Sequence, residues 1–355
     1  MTVRSIAFYL PQFHPIPEND AWWGTGFTEW RSVAAAKPKF VGHYQPRIPA
    51  DLGFYDLRVP ETRAAQAKLA RDHGIHGFCY YHYWFDGKRL LERPLDEVIA
   101  SGQPDFPFCV CWANENWTRR WDGRDQDVLI EQHYGDGWEG RFIRDLLPVL
   151  CDPRYIRIDG RPLLVVYRPG SLPDAASSAR RWRDICRHEG VGEIYLAHVH
   201  AFELGDPRTI GFDAAIEFPP LGFRLWTFNN SQLQLLDPDF RGQIHHYPAL
   251  VDWALQKPDT PYTWFRGIFP GWDNSPRVGN RGRIFAGNQS IEYRRWLEGL
   301  AQWTRTHHVG DEQLVFINAW NEWGEGAYLE PDLANGHAFL EATRAALMQR
   351  GSLSS

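Results

Sequence analysis

Glu322 and Glu325 stand three positions apart in the run Trp320-Asn321-Glu322-Trp323-Gly324-Glu325-Gly326. Three residues span at most ~10 Å when extended, so a bend at Gly324 would bring the two carboxyls within several ångströms. At that distance both do not easily stay ionised, and one holds a proton near neutral pH. The pair then contains an acid that can protonate a departing glycosidic oxygen and a base that can take a proton, the division of labour of a glycosidase. An exposed loop with two solvated glutamates is the plain alternative for an arbitrary Glu-x-x-Glu. The flanking indoles, the glycines and the place behind an apolar strand weigh against it here.

That strand is one of eight. Short, nearly continuous apolar runs at Ser5–Leu10, Ile75–Tyr83, Phe106–Ala113, Leu163–Tyr167, Glu193–Val199, Ala214–Phe218, Trp264–Phe269 and Leu314–Trp320 read as parallel strands buried on both faces. Amphipathic helical patterns lie between most of them, at Pro60–His73, Glu92–Ala100, Trp138–Leu150, Asp174–His188, Ile291–Thr306 and Gly336–Gln349. The first opens on proline and stops at Gly74, a usual start and stop. This alternation predicts an α/β fold, a closed (β/α)8 TIM barrel, with residues 1–355 forming one domain. Two connections break the rhythm: residues 11–59 after the first strand and 219–263 after the sixth. Loops of that length are usually functional, and because they follow strands they are expected on the C-terminal face, where barrel enzymes keep their sites.

The same face should gather the other strand ends. These are Pro11-Gln12-Phe13-His14, with Trp23, Glu29 and Trp30 in the excursion behind it, then Tyr81-His82-Tyr83-Trp84 and Trp112-Ala113-Asn114-Glu115-Asn116-Trp117. Glu217, Trp272-Asp273, and Asn321 to Glu325 with Tyr328 just beyond complete the set. The predicted substrate-binding residues are His14, Trp23, Glu29, Trp30, Tyr81, His82, Tyr83, Trp84, Trp112, Asn114, Glu115, Trp117, Glu217, Trp272, Asp273, Asn321, Trp323 and Tyr328. Indole rings offer a flat apolar face and one N–H donor, which suits the C–H face of a pyranose; Trp23, Trp30, Trp84, Trp112, Trp117 and Trp272 are expected as such platforms. Arg277, Arg281 and Arg283 would contact hydroxyl or acidic groups. Asn114-Glu115 offers a rival pairing, because an Asn-Glu at a strand end is how many retaining glycosidases present their acid/base, with Glu322 on a distant strand.

Bulk properties narrow the partners. A net charge of -6 with scattered Lys and Arg provides no field to gather nucleic acid. No apolar stretch approaches the ~18 residues of a membrane span, and the chain enters a strand almost at once, so a cytoplasmic protein is expected. The five cysteines, Cys79, Cys109, Cys111, Cys151 and Cys186, have no framework spacing and read as reduced core residues. No metal and no cofactor are predicted. Gly135-Asp136-Gly137-Trp138-Glu139-Gly140 matches a dinucleotide fingerprint only weakly, with a bulky Trp inside the turn. Asp125-Gln126-Asp127 and Asp237-Pro238-Asp239 look like transferase metal clamps of a kind acidic loops produce by chance. His245-His246 and the His198/His200 pair lack matching ligands.

Ala7-Phe8-Tyr9-Leu10-Pro11-Gln12-Phe13-His14-Pro15, Trp22-Trp23-Gly24-Thr25-Gly26-Phe27-Thr28-Glu29-Trp30, the Trp112–Trp117 run and the Trp320–Gly326 run together resemble the WbsX-type family. Its members are often labelled glycosyltransferases of O-antigen and other surface polysaccharide clusters. That family in turn is similar to the barrel of glycoside hydrolase family 99, the endo-α-mannosidases, whose Asn-Glu-Trp-x-Glu-Gly motif matches Asn321–Gly326. The resemblance implies that Glu322 is the general base on the sugar 2-hydroxyl, closing a 1,2-anhydro intermediate, and that Glu325 is the general acid/base at the leaving oxygen. With the substrate's own hydroxyl as nucleophile, the usual carboxyl separations need not apply. The expected function is a retaining, endo-acting glycoside hydrolase on a bacterial polysaccharide or its lipid-linked precursor. A glycosyltransferase and a non-catalytic carbohydrate-binding protein are the alternatives.

Overall fold

The computed structural model describes residues 3–119, 124–201 and 205–348, without the side chains at 119 and 124–126. Eight parallel strands close on themselves: β1 Arg4–Tyr9, β2 Ile75–Phe85, β3 Phe108–Trp112, β4 Arg161–Val166, β5 Tyr195–His200, β6 Ala214–Glu217, β7 Thr263–Ile268 and β8 Leu314–Ile317. Each pairs with the next in sequence, and β8 pairs with β1 in a register that sets Ile6 beside Phe316. This is the expected (β/α)8 barrel. All eight strands fall on the apolar runs, because a strand covered on one side by barrel packing and on the other by helices has no face to leave polar.

Side chains alternate between the barrel interior and the helix layer. Phe8, Cys79, Tyr81, Phe218 and Phe316 point inward, where Phe8 meets Tyr81, Phe218 and Phe316 at centroid distances of 5.7, 4.9 and 5.8 Å. Tyr9, Phe78, Tyr80, His82 and Trp84 point outward, Tyr9 reaching Gln66 of a helix and Trp84 packing on Phe142.

The helix layer is α1 Pro60–Asp72, α2 Arg93–Ser101, α3 Trp138–Leu150, α4 Ala175–His188, α5 Tyr247–Leu255, α6 Ser290–His307 and α7 Ala338–Met348. Asp174 caps α4 by accepting from the Ser177 N–H at 2.8 Å, the role its residue type favours. Two expectations change. The segment 219–263 is not all loop: it contains α5, which has Pro248 in its first turn and is capped by His246. Between β5 and β6 the described residues hold a single 3-10 turn, Pro207–Ile210, in place of a helix.

The excursions after β1, β6 and β7 meet on the C-terminal side. Gln243–His246 pairs with Arg283–Ala286, and Phe40 bridges to Leu235. Phe40, Phe240, Ile244 and Ile284 form a small separate core there. The dinucleotide-like glycines only start α3, with Gly137 in the left-handed N-cap position and Trp138 buried. Asp237 holds Lys39 and Asn280 in the side lobe. Asp125 and Gln126 of the other acidic run lie outside the described side chains. Among the described residues no helix is long and apolar enough to cross a membrane.

Candidate active site

At the end of β8 the chain makes a two-residue ladder, Asn321–Glu322 against Ala327–Tyr328, closed by the 3-10 turn Trp323–Glu325. Gly326 ends that turn with φ 62°, a conformation glycine adopts without cost. Gly324 is required for a different reason: a Cβ there would lie 2.0 Å from the Glu29 Oε1 and 2.8 Å from the Arg277 Nε. The glycine does not loosen the turn. It lets the backbone lie flat on an ion pair.

That ion pair organises the site. Arg277, on the short helix Ser275–Val278 behind β7, donates from Nε to Glu29, from Nη2 to Glu322 and from Nη1 to Glu325 at 2.8 Å. Three carboxylates from two separate loops therefore meet on one guanidinium. Glu322 is 5% exposed, and burial pushes its carboxyl up to about 8, against the pull of Arg277 and with help from Glu325 and Glu29. Burial alone would lower the Arg277 pKa, but Glu29, Glu322 and Glu325 raise it well above the usual range. The site carries two more carboxylates than cations at its centre, so it retains a proton into the alkaline range.

Tyrosines line the inward side. Burial raises the phenol pKa of Tyr81, with Glu322 the next cause, and that of Tyr83, with Glu322 and Glu29 adding to the rise. Gln12 donates to the Tyr83 hydroxyl at 3.2 Å. Across the mouth, Tyr167 follows β4; burial raises its phenol too, followed by Glu115, Glu325 and Glu322. Glu115 accepts from Arg168 at 2.7 Å. From Tyr83 an aromatic tract leads outward to the half-buried Trp117 at 5.0 Å and on to Trp22 at 5.8 Å.

Two asparagines set these glutamates. Asn321 accepts from the Leu10 N–H at 2.7 Å and donates to the Leu10 carbonyl at 3.0 Å. Asn114 does the same to Arg168, accepting at 2.7 Å and donating at 2.8 Å. Each ties the end of one strand to the backbone leaving its neighbour, β8 to β1 and β3 to β4, and each is followed directly by a glutamate. Asn321 and Asn114 are thus built into the frame of the site.

Of the predicted residues, the structure brings together Glu29, Tyr81, Tyr83, Glu115, Trp117, Glu322 and Glu325. Others are taken up by packing. Trp84 and Trp112 are fully buried in the helix layer, Trp112 stacked 4.1 Å from Phe142 and Trp84 donating to Asp145 at 2.7 Å. His82 shares that outward face, and burial lowers its pKa to about 3. Glu217 is outward as well, buried with Lys257 at 2.7 Å and Arg266 at 3.1 Å. Trp30 and Trp323 pack on each other, the first donating to the Tyr55 carbonyl at 2.8 Å, the second stacked on Tyr328 and donating to Glu330 at 2.7 Å. Asp273, fully buried, accepts from His43 and Gln45 at 2.7 Å each; burial opposes its ionisation, but the His43 bond, Arg47 and Ser275 hold its pKa at about 2. It joins the β1 and β7 excursions. Trp272 and His14 are buried, burial lowering His14 to about 4, while Trp23 is half-buried against Phe27. Arg281 is exposed. Sequence reasoning missed Tyr167 and Arg168, and placed Arg277 on the substrate instead of on the carboxylates. Tyr167 was within reach, two positions beyond Val165 on the strand.

A family model for glycosyltransferase WbsX matches residues 5–343. The chain belongs to the WbsX family. Proteins called WxcX from two strains of Xanthomonas campestris pv. campestris, B100 and ATCC 33913, are 51% identical to it over 342 residues, 96% of this chain. The WbsX chain spans about half the length of these curated relatives, covering 49% of each. Among solved structures, a glycoside hydrolase-like protein aligns over 98% of this chain and 94% of its own, with a TM-score of 0.61 at 16% identity. The GH99 endo-α-mannosidase from Bacteroides thetaiotaomicron aligns over 98% and 97%, with a TM-score of 0.58 at 13% identity. These likenesses show the shared barrel. The family model is described as a glycosyltransferase, while the two solved structures are described as glycoside hydrolases.

Proposed function

We propose that this WbsX-family protein is a retaining, endo-acting glycoside hydrolase of a bacterial polysaccharide or glycan, with Glu322 and Glu325 as its acid/base pair. The observation that carries the reading is the grip of Arg277 on both carboxyls, which keeps them in one buried crevice with a proton to share. In this reading Glu322 takes the proton of the sugar 2-hydroxyl as that oxygen closes on the anomeric carbon, while Glu325 protonates the departing glycosidic oxygen. Water then opens the 1,2-anhydro ring, Glu325 accepting the water proton and Glu322 returning the other to the 2-hydroxyl.

At rest the shared proton favours Glu322, the more deeply buried member, which is the reverse of what the first step needs. Substrate corrects this. A hydroxyl donating to Glu322 favours its ionised form, and a glycosidic oxygen accepting from Glu325 favours its protonated form. The sugar thus places the proton where it is used. Tyr81, Tyr83 and Tyr167 would meet the sugar at the pair, and Trp117 with Trp22 would carry the chain outward, so that an internal bond of a longer glycan reaches the carboxyls.

The family's name favours a second reading, transfer of a sugar in surface polysaccharide synthesis. A donor phosphate needs a free cation, and at the site's centre Arg277 already serves three carboxylates, which weighs against it. Stabilisation by one nucleotide sugar that grows with its concentration in a thermal-shift screen would favour transfer. For hydrolysis, the protein is incubated with a panel of bacterial polysaccharides, α-mannan among them, and new reducing ends are counted. Glu325→Gln is expected to lose on the order of 10²–10⁴ in rate; an unchanged rate removes Glu325 from the chemistry. Undiminished glycan binding by that variant, with no turnover by either protein, would mark a binding protein.

A further inference from the structure

Arg277 presents three nitrogens, and each takes a different carboxylate: Nε takes Glu29, Nη2 takes Glu322 and Nη1 takes Glu325. A guanidinium is planar, so fixing Nε fixes the directions in which the two terminal nitrogens point. Glu29 does the fixing. It comes from the β1 excursion, is 1% exposed, and its Oε2 accepts no hydrogen bond among the described residues. Among the described residues its side chain hydrogen-bonds to Arg277 and to no other group. Gly324 bears this out from the other side, since any Cβ there would strike the Glu29 carboxylate and the Arg277 Nε.

We propose that Glu29 and Arg277 are positioning residues: Glu29 orients the guanidinium, and the guanidinium holds Glu322 and Glu325 apart at a fixed spacing while allowing them one proton between them. The proposal rests on the reading of Glu322 and Glu325 as the acid/base pair. Glu29 has a second effect through its charge. Glu322 faces Arg277 from the β7 side, Glu29 from the β1 excursion, Glu325 on its own turn, Tyr81 and Tyr83 on β2, and Tyr167 behind β4. In that shell Arg277 favours the ionised carboxylate and Glu29 opposes it. The two residues therefore set the proton affinity of the pair by pulling in opposite directions.

Opposite pulls give opposite shifts, which a merely structural role would not produce. The protein is titrated without substrate by difference infrared spectroscopy, following the protonated-carboxyl band that disappears in Glu322→Gln. Glu29→Gln is expected to lower the midpoint of that band by roughly one pH unit, a tenfold loss of proton affinity. Arg277→Gln is expected to raise it by at least as much. Arg277→Lys keeps the charge without the fork, so it should titrate close to the native protein yet lose turnover. If Arg277→Gln does not fold, Glu29→Gln and Arg277→Lys decide the matter. Midpoints that stay in place, or that move in the same direction, overturn the proposal. The titration needs no substrate, so its failure is separate from that of the catalytic reading, which is tested by the turnover of the native protein and Glu325→Gln.

Discussion

A carboxyl buried as deeply as Glu322 loses most of its hydration, and one guanidinium shared with two other glutamates restores only part of what water gave. The consequence is a proton kept far above the ordinary carboxyl range, to about 8. For catalysis the form that matters is the pair carrying one proton, and that form persists until Glu322 lets go. The proposed activity should therefore hold level through neutrality. As pH rises past about 8, kcat/KM should fall by roughly tenfold per unit. A profile of kcat/KM between pH 5 and pH 10 measures this. A descending limb near pH 5, where an ordinary glutamate ionises, would mean that Glu322 keeps no proton for the reaction.

At the scale of elements, the two Asn-Glu strand ends are the same device used twice. Each asparagine bonds both backbone groups of a residue leaving the neighbouring strand, at a point where the ladder has stopped; at Leu10 those groups are buried, while at the half-buried Arg168 the carbonyl also accepts from the Ser171 N–H. Removing Asn321 leaves the buried Leu10 N–H and C=O without the partners described for them, at a cost of about 1–3 kcal/mol for each unsatisfied group; removing Asn114 leaves the Arg168 carbonyl with the Ser171 N–H. Asn321→Ala is expected to lower the melting temperature by several degrees and to slow turnover, because Glu322 is the next residue. Asn114→Ala should cost less stability, because the Arg168 carbonyl keeps the Ser171 N–H, and have less effect on rate, Glu115 lying across the mouth from the pair. Equal losses of rate in both variants would put Glu115 back in the chemistry. The strands were legible because each is a continuous apolar run, and most helices because they keep one apolar stripe. Nine-residue α5 was not, being apolar nearly throughout and preceded by a long polar excursion. Period-two alternation, applied from Tyr81, separates the inward Tyr83 from the outward His82 and Trp84. Without it, every aromatic at a strand end looked like a platform. The Arg277 cluster had no local signal, because Glu29 and Glu322 lie 248 and 45 positions from Arg277.

For the whole molecule, buried titratable groups set the pH dependence of stability, and their signs can be summed. Burial lowers His14, His76, His198 and His245 to about 4 and His82 to about 3, from 6.5. Below pH 6.5 the unfolded chain binds protons that these residues refuse, so stability falls as pH drops through that window. Glu322 and Glu330 act in the opposite sense: burial raises them to about 8 and about 7 from 4.5, so the folded protein keeps protons that the unfolded chain has released. Their contribution is lost as pH rises from 4.5 towards 8. Between 4.5 and 6.5 these five histidines, joined by His308, which burial also lowers, outnumber the two glutamates; above 6.5 the glutamate terms dominate among the described residues. The melting temperature should therefore peak near pH 6.5, fall steeply on the acid side and decline more gently towards pH 8. Between pH 6.5 and pH 8 the Glu322 share of that decline is about 2 kcal/mol. Calorimetric scans of the native protein and Glu322→Gln at pH 5, 6.5 and 8 check the account. The substitution should flatten the alkaline arm and steepen the acid arm, because the Glu322 term opposes the histidines between pH 4.5 and 6.5. An alkaline arm equally steep in both proteins would show that the proton at the heart of the proposed chemistry is not held by Glu322.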